Sequence, residues 1–172
     1  MRRTIIMFLL LIHLSTQQGI CVCPVSTIVP IEKIEQELKT KLPDEQNSIQ
    51  FNKTPSGYII SIKDELIFDT NNCINKTGEI ILSILAQTMK ESGRRWLILG
   101  HSNTEENAEY RIYATSIKTN VITNFLTDKE KCLINQLFPI GFGSIMPNKF
   151  VTSNFHEIHN RTDFIVEEFS LN

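Results

Sequence analysis

The chain predicts an α/β fold, and three observations carry that prediction. Trp96-Leu97-Ile98-Leu99 is an apolar run that stops at Gly100-His101-Ser102-Asn103, the pattern of a buried strand ending at a polar loop. Residues 105–127 then contain neither proline nor glycine, while Ala108, Ile112, Thr115, Thr119, Ile122 and Leu126 recur at helical spacing. A second helix covers residues 79–91, with Ile80, Ile81, Ile84, Leu85 and Met89 on its buried side and Ser92-Gly93 as its stop. Strands alternating with helices of this length define the class.

Taken in order, the chain opens on a targeting segment at 1–23. Arg2 and Arg3 form a basic start, and residues 4–14 are an apolar run too short to span a bilayer comfortably. Export follows, with cleavage favoured by Gln17 and Gln18 and retention as an anchor the alternative. Cys21 and Cys23 are lipidation candidates, since an exported bacterial lipoprotein is cut just before its lipidated cysteine; ordinary cleavage nearby is the other reading. Multiple acyl chains would be needed for firm attachment to an outer membrane.

Residues 24–47 hold a short linker and a helix at 31–42, whose Ile31, Ile34, Leu38 and Leu42 mark one face. That stripe suits packing on a domain edge or docking to a partner. The main domain is placed at 48–172. It begins with a hairpin, Ile49-Gln50-Phe51 and residues 58–62 flanking the turn composition Thr54-Pro55-Ser56-Gly57, and its second arm is expected to run on as one long strand into Leu66-Ile67-Phe68. Beyond the central helix, 132–138 reads as an apolar strand, 141–147 as a glycine-rich loop, 149–160 as irregular, and Phe164-Ile165-Val166 as the last strand.

Several motifs then align with a known family. Gly100-His101-Ser102-Asn103 resembles the Gly-His/Tyr-Thr/Ala-Asp motif of the OmpA-like peptidoglycan-binding domain, shared with peptidoglycan-associated lipoproteins and flagellar stator proteins. The family has a tyrosine seven residues after the Asp and an arginine fifteen after it; here Tyr110 and Lys118 occupy those places. Phe68-Asp69-Thr70-Asn71 resembles its Phe-Asp-x-Asn/Asp turn, Gly141-Phe142-Gly143 with Pro147 its Gly-x-Gly-x-x-x-Pro segment, and Asn160-Arg161-Thr162 stands where the family has Asn-Arg-Arg. The resemblance covers residues 66–169. It implies a β-α-β-α-β-β sandwich with a mixed four-stranded sheet and its helices on one face, to which the N-terminal helix and hairpin are additions. Size and layout are also similar to a small exported OmpA-like lipoprotein of type IVB (Dot/Icm) secretion machines.

The resemblance further implies a site that binds without catalysis. In the family the pocket holds the diaminopimelate of the peptidoglycan stem peptide, a compact zwitterion. A carboxylate at the strand end accepts from its ammonium, a helical arginine grips its carboxylate, and loop amides bind anionic oxygen. The corresponding residues here are Asn103, Lys118, Tyr110, Arg111 and Arg161. Asn103 keeps an acceptor without the charge, and Lys118 keeps the charge without the planar fork, so the expected contact with the wall is weak or atypical. A pocket that no longer binds peptidoglycan, in a subunit serving envelope or secretion-complex proteins, is the alternative.

Other functions find little support. A formal net charge of −2 gives no general attraction to nucleic acid. His156-Glu157-Ile158-His159 and Cys21-Val22-Cys23 lack the four-ligand pattern of structural zinc, and no cofactor or metal is expected. His101 beside Ser102 has no oriented acid in sequence, so no enzyme is predicted. Cys73 and Cys132 are expected as two buried free thiols, because the family's topology sets them at opposite ends of the sheet. Asn52-Lys53-Thr54, Asn75-Lys76-Thr77 and Asn160-Arg161-Thr162 are formal glycosylation sequons, informative only in a eukaryote.

Overall fold

The structure, a computed structural model, describes residues 29–42, 48–55, 57–102, 107–144 and 160–167. Helix α1 (Ile31–Lys41) precedes the hairpin strands β1 (Ile49–Thr54) and β2 (Gly57–Lys63). A single helical turn, α2 (Asp64–Ile67), leads to α3 (Lys76–Ser92) and β3 (Trp96–His101), followed by α4 (Ala108–Asn124), β4 (Leu137–Gly143) and β5 (Arg161–Glu167). The five strands form one sheet in the order β1-β2-β5-β3-β4, with β3 and β4 parallel and the remaining pairs antiparallel. The mixed α/β architecture is as expected, and the hairpin's outer strand joins the same sheet as a fifth member.

The core lies between one sheet face and the helices. Tyr58, Ile60, Ile62, Trp96, Ile98 and Phe164 project from the strands and pack with Ile81, Leu82, Leu85 and Met89 of α3 and with Ile34 and Leu38 of α1. All of these side chains are essentially inaccessible to water. At about 25 cal/mol per Å² of apolar surface, each contributes on the order of 2 kcal/mol. Asn75 caps α3 by accepting from Gly78 N–H at 2.8 Å, and Gly93 ends it in the left-handed conformation at φ 62°.

Several expectations need correction. The long second arm of the hairpin is broken: β2 stops at Lys63, and Asp64 to Ile67 turn as a helix whose Asp64 N–H donates to Asn160 O at 3.1 Å. The strand expected at 132–138 forms later, at Leu137–Gly143, after a 3-10 turn over Ile134–Gln136. Its glycines are strand residues because helix α4 lies directly on them. A Cβ on Gly141 would collide with Ser116 Oγ, and Gly143, at φ 55°, donates its N–H to Thr115 Oγ1 at 3.1 Å. The thiols also differ from expectation: Cys132 is buried, but Cys73 is exposed, and both are free. Ile80, assigned to the buried side of α3, points to solvent.

Candidate functional site

Strands β2, β3 and β4 finish, and β5 begins, at one end of the sheet. Polar side chains collect there on both faces. Pairing puts Gly100 opposite Thr162, and a Cβ on Gly100 would meet Thr115 and Thr119 of α4, so this pair faces the helices. Because successive strand residues alternate, His101, Arg161 and Asp163 face the other side.

On the helix face, Lys118 of α4 extends its ammonium to Asp64, with Nζ 2.9 Å from Oδ2. Thr162 donates its hydroxyl to the other oxygen, Oδ1, at 3.0 Å. The ring of Phe68 lies under the ammonium, its centroid 5.7 Å from Nζ. Little of either charge is open to water: the side chain of Lys118 is 17% exposed and that of Asp64 8%. Burial pushes the Asp64 carboxyl above its usual range, opposed by Lys118 and Thr162.

On the opposite face, Arg161 Nε donates to both Asp163 oxygens, at 3.1 and 3.3 Å, and His101 Nε2 lies 3.0 Å from Asp163 Oδ2. The imidazole stacks on Phe142 with ring centroids 5.9 Å apart. All three polar residues are buried. Burial alone would raise the Asp163 carboxyl, yet His101 and Arg161 outweigh it and hold the group below its ordinary value. Ser102 Oγ donates to Asn160 Oδ1 at 3.1 Å, tying the end of β3 to the start of β5.

Of the residues singled out in sequence, Arg111 and Lys118 fall seven apart on α4 and therefore on one face of it. Tyr110 lies in the first turn, half exposed, where Asn107 caps the helix by accepting from Tyr110 N–H at 2.8 Å. Arg161 belongs to the buried group on the other sheet face, apart from Lys118. Asn103, Cys21 and Cys23 lie outside the described residues, as do His156 and His159. Among the described residues no three His, Cys, Asp or Glu side chains are grouped to hold a metal ion, and no helix is long and apolar enough to cross a membrane.

Sequence reasoning missed Asp64, Thr162 and Asp163. For Asp64 a signal existed: Lys63-Asp64-Glu65 interrupts an otherwise apolar, strand-like stretch, and a charge inside such a run is either turned outward or paired. Asp163 follows Arg161 at a spacing of two, which puts them on one face of a strand.

No family model matches the chain, and no curated protein does either. Solved structures do. A putative MotB-like protein from Desulfovibrio vulgaris superposes with a TM-score of 0.64 at 12% identity, covering 83% of this chain and 93% of that one. The periplasmic domain of Helicobacter pylori MotB gives 0.60 at 13% identity over 76% and 85% of the two chains. The cell wall anchor of the T6SS from Pseudomonas aeruginosa also gives 0.60, at 11% identity over 81% and 97%. The topology and helix placement described above, together with these superpositions, establish that the chain has the OmpA-like fold of the MotB periplasmic domains.

Proposed function

We propose that this protein is a non-catalytic module of the bacterial cell envelope that anchors an envelope or secretion assembly through a weak or atypical contact with peptidoglycan. The observation that carries the reading is the likeness over most of the chain to a cell wall anchor and to MotB periplasmic domains, combined with a cation, Lys118, on the helix that follows β3. Lys118 would face the stem-peptide diaminopimelate, with Tyr110 and Arg111 on the same helix, Asn103 as a further binding residue and Arg161 holding the sheet end. The protein would reside in the periplasm, held at the outer membrane if Cys21 or Cys23 carries lipid. Purified sacculi provide the test. The mature chain should sediment with them, and Asn103→Ala or Lys118→Ala should abolish sedimentation; a wild-type chain left in the supernatant at low salt removes the reading.

One observation favours a second reading. Lys118 already has a partner in Asp64, so the cation is satisfied within the protein. In that reading the domain is a structural subunit of a type IVB secretion outer-membrane complex, with a pocket silent toward the wall. Mass spectrometry of the mature N-terminus, which would show acylated cysteine or an unmodified end, bears on membrane attachment under both.

A further inference from the structure

We infer that Asp64 is a specificity-determining residue that makes the site around Lys118 discriminate against carboxylate ligands in favour of the corresponding carboxamide. This rests on the peptidoglycan reading above and deepens it, since it names the form of stem peptide accepted. A lysine without an internal counter-ion would present a bare positive charge and select an anion. Here the ammonium is bonded at 2.9 Å to a carboxylate that is itself fixed by the Thr162 hydroxyl at 3.0 Å, and Phe68 closes the side of the cation. Asp64 is further held by its own backbone: its N–H donates to Asn160 O at 3.1 Å, and its C=O accepts from Phe68 N–H at 2.7 Å. The backbone of Asp64 is fixed by these bonds, and its carboxylate is held beside Lys118 by one hydrogen bond on each oxygen.

The consequence is chemical. A ligand carboxylate brought to Lys118 would lie beside the fixed charge of Asp64, in a region where both side chains are largely withdrawn from water and repulsion is poorly screened. A primary carboxamide carries no charge. Its carbonyl can accept from the remaining Lys118 hydrogens, while its NH2 group is tolerated by, or donates to, Asp64. Lys118 is the more exposed member of the pair, so a ligand reaches the donor first. An amidated diaminopimelate has this chemistry, and the free acid does not.

The test compares two synthetic stem tetrapeptides, one with the free side-chain carboxylate of diaminopimelate and one with its carboxamide, titrated into the mature chain by calorimetry. The wild type should bind the amide at least about tenfold tighter than the acid, and Asp64→Asn, which uncovers the cation, should reverse that order. Asp64→Ser serves as a second variant, with thermal melting confirming that each is folded. A wild type that prefers the acid, or an Asp64 variant with an unchanged ratio, overturns the inference. The two claims fail separately. Wild-type sedimentation with sacculi alongside an unchanged ratio removes only the role of Asp64. If the wild type binds neither peptide but Asp64→Asn acquires affinity for the acid, Asp64 excludes carboxylates as argued, while the preference for the amide and the wall-binding reading both fall.

Discussion

Asp64, Lys118 and Thr162 show how a buried ion pair is kept in a small domain. Withdrawing two charges from water costs several kcal/mol each, and only good geometry with every lone pair occupied recovers it. Here Asp64 has Lys118 on one oxygen and Thr162 on the other, and the lysine also lies over Phe68. Removing one partner should therefore hurt more than removing both. Lys118→Met is expected to lose about 3 kcal/mol or somewhat more, whereas Asp64→Leu with Lys118→Met should be close to neutral. Urea unfolding of the two variants at pH 7 checks this. The single-variant loss should also shrink as pH falls, because a protonated Asp64, already favoured by burial, no longer needs a cation. None of this trio was evident in sequence as a unit. Lys118 stood out through its place in a motif, but Asp64 precedes it by 54 residues and became its partner only when β2 broke into a helical turn.

Helices α3 and α4 were legible because their apolar spacing and, for α3, the Gly93 stop agree with the tertiary packing, although the Asn75 cap that starts α3 three residues earlier than expected was not read from the sequence. Strand β4 was not. Its sequence, Leu137-Phe138-Pro139-Ile140-Gly141-Phe142-Gly143, has the glycines and proline of a loop, and what makes it a strand is non-local: parallel pairing with β3 and α4 lying across its backbone. The glycines are the condition for that approach. Gly141→Ala should force α4 off β4 and cost about 1–3 kcal/mol, with a lowered midpoint in denaturant and an unchanged slope. The start of α3 offers a contrast in kind. Asn75 accepts from Gly78 N–H and also donates Nδ2 to Phe68 O at 3.1 Å and Glu65 O at 3.3 Å, so one side chain both caps α3 and fastens α2 to it. Asn75→Ala should accordingly cost at least the roughly 1 kcal/mol of an ordinary cap, while Asn75→Asp, which keeps the acceptor alone, should recover part of it. Thermal melts of the pair separate the two roles.

Across the whole molecule the sheet divides two carboxylates that respond to acid with opposite sign. Asp64, on the helix face, has its carboxyl raised by burial, so the folded state binds its proton more tightly than the unfolded chain does. Its charged form therefore costs stability above the folded pKa, and that cost is relieved as pH falls through it. Asp163, on the other face, is held below its ordinary value because His101 and Arg161 outweigh burial. Its contribution is fully present above the unfolded value of about 3.8 and is lost as pH drops through the folded one. The two together predict a stability maximum on the acid side of neutrality, followed by a steep fall below pH ~4. Single substitutions should dissect the curve. Asp64→Asn should flatten the rise between neutral pH and the maximum. Asp163→Asn should lower stability by about 3 kcal/mol at pH 7, since it removes the buried carboxylate that accepts from Arg161 and lies beside His101, and should make the acid limb shallower. Guanidinium unfolding between pH 3 and pH 7 measures both slopes. A wild-type curve that declines steadily from pH 7, with Asp163→Asn parallel to it, would mean that the cluster around Asp163 does not govern acid stability.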